Sequence, residues 1–181
     1  MDLEGRKIAI LVADQYQELE VWYPLLRFRE DGAETVTVGA EVAQTYLSKK
    51  GYPVVSDEAI ADAHAQEFDA VVIPGGWAPE ALRQDPLMVR FVRDMHATGK
   101  VVGAICHAGW MLVSADLARG RRVTCYRAIK DDVISAGGQY VDEQVVVDGN
   151  LITSRMPTDL PAFCREIRKA LVGQAVAAGS R

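Results

Sequence analysis

Three unbroken apolar runs constrain this chain more than any other feature: IAILVA at residues 8–13, AVVI at 70–73 and VVGAI at 101–105. Each has the length of a strand and none alternates with polar residues. A strand that is apolar on both faces has to be covered on both faces, a condition met by parallel sheets flanked by helices. The intervening segments supply such helices. Leu19, Val21, Trp22, Leu25, Leu26 and Phe28 recur at roughly helical spacing before Gly32, and residues 79–99 read as helical with a break near Pro86. Strands alternating with helices predict an α/β fold with a mostly parallel central sheet covered by helices on both faces.

The rest of the chain adds smaller elements. ETVTVGA (34–40) reads as a second strand, and residues 42–57 as a hairpin excursion around Gly51. HAGWMLVSADLA predicts a helix from residue 107, RRVTCY a strand over 121–126, and AIKDDVISAGG a helix ending on two glycines. A hairpin over 139–155 turns at Asp148, Gly149 and Asn150, and a closing helix starts near Pro161. No repeat, linker or low-complexity segment interrupts the 181 residues, so residues 1–181 are expected to form a single domain, and 49% hydrophobic residues suffice for a full core.

Charge and cysteine usage narrow the partners. The net charge of -5 and one short cation run, Arg119, Arg121 and Arg122, give no footprint for nucleic acid. No run approaches the roughly 18 apolar residues of a membrane span, and the N-terminus lacks a signal-peptide pattern, so the expected location is cytoplasmic without membrane contact. Cys106, Cys125 and Cys164 are odd in number and form no CxxC pair, which disfavours a disulfide framework and a zinc ribbon.

In an open parallel sheet the reactive crevice lies at the carboxyl ends of the strands, here the loops after Ala13, Ile73 and Ile105. Ala104-x-Cys106-x-Ala108 has the small residues that a strand-to-helix elbow needs to project a nucleophile. A sulfur at a helix start is expected to ionise, its pKa lowered from about 8.5 toward 3.5–7.5. The Pro74-Gly75-Gly76 turn lets backbone N–H groups approach, and with the His107 N–H it makes a candidate oxyanion hole for addition to a carbonyl. Cys125 and Cys164 read as core, because free cysteine is among the most buried residue types. His64 and His96 read as exposed, leaving His107 as the partner of Cys106. Adjacent side chains diverge, so its ring needs an orienting carboxylate. Glu18, Glu20 and Glu80 are candidates that spacing does not separate. No nucleotide-binding glycine pattern occurs, and a Cys106, His107 and Glu20 metal site is disfavoured because adjacent ligands converge poorly, so neither cofactor nor metal is expected.

The stretches YQELEVWYP, VVIPGGWAPEALR, VVGAICHAGWMLVSA, YRAIKDDVISAG and VVVDGNLITSRMPTDL, in that order, resemble the PfpI family, also called intracellular protease I, of the DJ-1/PfpI superfamily. The resemblance covers nearly the whole chain. It implies a flavodoxin-like three-layer sandwich of the class I glutamine amidotransferase-like type, assembly into dimers or larger rings, and stress protection. By motif, Cys106 matches the family nucleophile, His107 the histidine after it, Glu20 the acid that hydrogen-bonds the sulfur, and Glu80 a carboxylate donated from a neighbouring subunit to orient the histidine. Tyr126 matches a tyrosine near the pocket, and Gly76 and His107 the oxyanion N–H groups. The chain departs where the family commonly reads Cys-His-Gly-Pro, having Ala108 and Gly109, and Trp77 stands where a smaller or basic residue is frequent. Trp77 is expected either to roof and narrow the pocket beside Gly75 and Gly76 or to pack at a subunit interface. The implied activity is a cysteine-dependent hydrolase or a glyoxalase/deglycase, acting on a peptide or a small reactive carbonyl in a homo-oligomer. The alternative is a redox-sensing or chaperone-like stress protein with an oxidisable Cys106.

Overall fold

The computed structural model describes residues 2–179. Its first strand, β1 (Lys7–Leu11), leads into α1 (Glu18–Glu30), whose start is capped by Gln17 accepting the Glu20 N–H, and then into β2 (Glu34–Gly39). An excursion follows: β3 (Thr45–Leu47) and β4 (Pro53–Val55) form an antiparallel hairpin, and β5 (Glu58–Ala59) returns to the edge of β2. The next units are β6 (Ala70–Ile73), α2 (Ala78–Leu82), α3 (Pro86–Ala97), β7 (Val101–Ile105) and α4 (Gly109–Ser114). Asp85 caps α3 through the Leu87 N–H at 2.8 Å, and Pro86 occupies the first turn, where its missing N–H costs nothing; hence the break in the helical pattern. The chain ends with β8 (Arg122–Val123), α5 (Lys130–Ser135), β9 (Gln139–Tyr140), β10 (Val145–Asp148), β11 (Leu151–Ser154) and α6 (Leu160–Gly179).

Seven strands form the central sheet in the order β10-β11-β7-β6-β1-β2-β5, every pairing parallel except β10 with β11. All residues of β6 and β7 are buried, and since successive side chains face opposite sides, both faces of the sheet are covered. Gly103 in β7 makes room for α6: a Cβ there would lie 2.7 Å from Ile167 and 2.9 Å from Phe163. The reversal of strand order between β1 and β6 places the carboxyl ends of β1, β6 and β7 side by side, so the three expected crevice loops are neighbours.

Three elements are shorter than the sequence pattern predicts. The strand expected over 121–126 is only β8, which pairs with β9 in a separate two-stranded sheet. The backbone beyond it is claimed elsewhere, the Thr124 N–H by Thr153 Oγ1 and the Tyr126 N–H by the Cys106 carbonyl. Tyr140 therefore belongs to β9, and the later hairpin is confined to β10 and β11. The helix after Cys106 begins as a single 3₁₀ turn over Cys106–Ala108 and ends at Ser114, with Asp116 just beyond it at a left-handed φ of 56°.

Candidate active site

Cys106 sits at the carboxyl end of β7 with φ +63°, a left-handed conformation that for a non-glycine residue costs on the order of 1–3 kcal/mol. The Tyr126 N–H, 3.1 Å from the Cys106 carbonyl, helps hold it there. Cys106 is 7% exposed. Beside it, at the end of β6, Gly75 and Gly76 can only be glycine. A Cβ on Gly75 would lie 2.6 Å from both Cys106 Cβ and Glu20 Oε2, and one on Gly76, at φ +73°, would lie 2.4 Å from the Gln15 carbonyl oxygen. The two N–H groups have different uses. Gly75 donates to Glu20 Oε2 at 2.7 Å, whereas the N–H groups of Gly76 and His107 act on the Cys106 thiol, favouring its charged form. Gly76 and His107 therefore hold the candidate oxyanion position, and Gly75 holds Glu20.

Glu20 is fully buried on the first turn of α1. Burial pushes its carboxyl up to about 7, against the pull of the Gly75 N–H, the Cys106 thiol and the Lys49 charge. Its Oε1 has no hydrogen-bond partner of ordinary geometry among the described residues, and the thiol is the titratable group it faces. Glu18 points elsewhere: its Oε1 accepts from Ser48 Oγ at 2.7 Å and the Lys50 N–H at 2.8 Å, fixing the β3–β4 hairpin to α1. Geometry thus separates the two acids that spacing left equivalent.

The expected ionised thiol is not what the structure has. Burial pushes Cys106 up to about 12, with the Glu20 charge adding to the rise and the Gly76 and His107 N–H groups opposing it. The helix-start argument fails because α4 is only six residues long and begins three residues later, at Gly109. Burial outweighs so weak a dipole. Proton loss from the thiol is therefore tied to proton gain by Glu20, since a neutral carboxylic acid removes the repulsion and can donate to the sulfur.

His107 also differs from expectation. Its ring does not diverge from Cys106: the left-handed elbow brings Nδ1 to 3.3 Å from Sγ. Burial and the Lys49 charge push the imidazole below its usual range, so a neutral ring faces a neutral thiol at hydrogen-bonding distance. Three aromatic rings surround this histidine. Tyr126 stacks on it at 4.9 Å between centroids, and Trp77 and Trp110 each lie 5.2 Å away. Trp77 walls the site and remains 48% exposed. Glu80, on α2, is exposed, and its carboxylate makes no hydrogen bond or ion pair among the described residues; its backbone carbonyl accepts from Gln84.

Two contributors escaped the sequence reading. Trp110, four residues after Cys106, is anchored by Asp132 at 2.8 Å, and its one-turn spacing from Cys106 was a usable signal. Lys49 reaches the site from the hairpin, its Nζ 5.9 Å from the Trp77 ring centroid, and nothing local in the sequence marks it. Cys125 and Cys164, at 1% and 2% exposure, are core residues whose thiols burial pushes up to about 12. His64 is exposed as expected, but His96 is half-buried, and burial holds its ring below the usual range.

The family model of the DJ-1/PfpI family matches residues 6–170. The chain belongs to the DJ-1/PfpI family. Among its relatives, protein/nucleic acid deglycase 2 of Escherichia coli is 43% identical over 169 residues, covering 92% of this chain and 98% of that protein. Deglycase PfpI of Pyrococcus furiosus is 41% identical over 165 residues, covering 91% and 99%. A solved two-domain protein of Anabaena variabilis, with DJ-1/ThiJ/PfpI-like and ferritin-like domains, superposes with a TM-score of 0.91 at 42% identity over 92% of this chain; the match spans 48% of that longer chain. The fold of this DJ-1/PfpI chain is accordingly flavodoxin-like. Among its described residues no helix is long and apolar enough to cross a membrane.

Proposed function

We propose that this chain is a cysteine-dependent glyoxalase or deglycase that attacks a small reactive dicarbonyl, or its early adduct on an amine, through Cys106. The observation that carries this reading is the placement of Cys106, a residue 7% exposed, beside two backbone N–H groups that favour its thiolate and a buried carboxyl whose pKa lies at about 7. A carboxylate of that basicity is matched to removing a proton at neutral pH, and so buried a cysteine admits a terminal aldehyde more readily than a carbonyl within a peptide. The relatives named deglycases support the same choice, as does Trp77 beside the mouth.

Cys106 gives its proton to Glu20, and the sulfur adds to the aldehyde carbon. The carbonyl oxygen, now an oxyanion, accepts from the Gly76 and His107 N–H groups. In a dicarbonyl adduct Glu20 passes the thiol proton to the second carbonyl oxygen, which becomes the hydroxyl, and the hydrogen on the attacked carbon leaves as a proton to the freed Glu20 or to His107 and returns to the neighbouring carbon. The result is a thioester beside a hydroxyl. Water hydrolyses it to a 2-hydroxycarboxylate and the free thiol, with no external oxidant or reductant. For an amine adduct the sulfur displaces the amine, which leaves with the thiol proton returned by Glu20. In a homo-oligomer, Glu80 of an adjacent subunit is the carboxylate that orients His107 through Nε2, a partner not found among the described residues of the single chain.

The test is turnover of methylglyoxal and of an unstructured peptide by wild type, Cys106→Ala and His107→Ala at matched oligomeric state. The reading expects methylglyoxal turnover in the wild type, its loss in Cys106→Ala and at least a tenfold fall in His107→Ala, with little peptide cleavage. Peptide turnover without dicarbonyl turnover would move the assignment to a peptidase. Turnover of neither, with Cys106 readily oxidised by peroxide in both the wild type and His107→Ala, would move it to a redox sensor.

A further inference from the structure

We infer that Lys49 is a specificity-determining residue of this site, an ammonium placed to receive a carboxylate on a substrate that reacts at Cys106. The inference rests on the dicarbonyl reading above and extends it to a substrate class, dicarbonyls that also bear a carboxylate, and to the carboxylate product formed by thioester hydrolysis. The observations come from the β3–β4 hairpin, outside the residues that carry the chemistry.

Lys49 stands at the hairpin turn with its Nζ 5.9 Å from the Trp77 ring, which in turn lies 5.2 Å from His107. Its position is built. The Lys49 N–H donates to the Tyr16 carbonyl at 3.0 Å, and the Gln15 N–H to the Leu47 carbonyl at 2.7 Å. The Leu47 N–H donates to Asp14 at 2.8 Å, and Glu18 takes both Ser48 Oγ and the Lys50 N–H. These bonds join the turn to the loop between β1 and α1, the same loop that leads into Glu20. The turn that carries this exposed lysine is therefore held against the loop that leads into Glu20.

Its charge is also uncommitted. Lys7, Lys100 and Lys169 each have an acidic partner within 4 Å, whereas Lys49 Nζ has neither an ion pair nor a hydrogen bond among the described residues. The face of an indole orients an ammonium without neutralising it. Both Glu20 and His107 respond to this cation, each being lowered by it, so its field reaches the reacting groups. A compact, strongly charged donor beside a nucleophile favours an anionic electrophile over a neutral one of the same shape.

Iodoacetate and iodoacetamide are such a pair. Each loses iodide when the Cys106 thiolate displaces it from the methylene carbon, and they differ in the charge beside that carbon. The ratio of their alkylation rates at Cys106, read by peptide mass analysis, cancels any change in the thiolate population. Wild type, Lys49→Met, Lys49→Arg and Lys50→Met are compared. A charge at this range, with surface screening, changes the ratio by roughly five- to tenfold. The ratio is expected to fall by that factor in Lys49→Met, to be largely kept in Lys49→Arg and Lys50→Met, and to shrink in the wild type as salt rises. An unchanged ratio in Lys49→Met, or an equal fall in Lys50→Met, overturns the inference. Because the ratio needs no turnover, failure of the dicarbonyl reading would leave it intact and show up only in the methylglyoxal assay.

Discussion

At Gly75 a single hydrogen in place of a methyl group lets three groups meet: its own N–H, the Glu20 carboxyl and the Cys106 side chain. Glu20 is the residue most open to measurement. Its carboxyl is raised from 4.5 to about 7 by burial, so the folded state holds a proton that the unfolded chain releases earlier. The stability tied to that proton is fully present below pH 4.5 and is lost as pH rises through 7. Glu20→Gln cannot lose it. The free energy of unfolding of Glu20→Gln relative to wild type is therefore expected to rise by roughly 3 kcal/mol between pH 4.5 and 8, read from denaturant titrations. A difference that does not vary with pH would show that Glu20 is charged throughout. Residue types and spacing showed that a carboxylate was needed, but choosing Glu20 over Glu18 required resemblance or geometry. The two are one residue apart on either side of Leu19, and only the fold turns one toward Gly75 and the other toward Ser48.

Among elements, the strands were the most legible and the excursions the least. β1, β6 and β7 are unbroken apolar runs whose parallel pairing buries both faces, and the carboxyl ends that carry the site follow from that pattern. β8 was overestimated because the apolar character of Val123 to Tyr126 serves core packing and the elbow, not a ladder. The hairpin was legible as a hairpin, yet its contribution to the site was not, since Lys49 meets Trp77 through bonds more than 25 residues distant in sequence, from Glu18 to Ser48 and Lys50. Partial burial pushes the Glu18 carboxyl up, but its hydrogen bonds outweigh that and hold it below the usual range. Glu18→Ala removes the anchor. Amide exchange over residues 45–55 is expected to accelerate by about tenfold, corresponding to one charge-assisted hydrogen-bond pair, while exchange in β6 and β7 stays unchanged. Uniform acceleration across the sheet would mean that Glu18 supports the whole fold and not the hairpin.

At the scale of the whole molecule, the proposed site draws a carboxylate for His107 from another subunit. His107 has Cys106 at Nδ1 and aromatic rings around it, no hydrogen bond between a carboxylate and its ring is found among the described residues, and Glu80 lies exposed on α2. If subunits complete one another, Cys106→Ala and Glu80→Gln are each defective alone, but mixing them pairs an intact Cys106 with an intact Glu80. Random reassembly is expected to restore on the order of a quarter of wild-type turnover, the share of sites drawing each residue from a sound subunit. No recovery after verified subunit exchange would place Glu80 outside the site.

The central claim is that the Cys106 sulfur bonds to the substrate carbon, and the most direct measurement is acid-quenched mass analysis of the protein during methylglyoxal turnover. The account predicts a transient adduct on the peptide bearing Cys106, appearing before product, decaying as substrate is exhausted and absent from Cys106→Ala. Turnover that persists in Cys106→Ala, or adducts found only on lysine, arginine, Cys125 or Cys164, would contradict it.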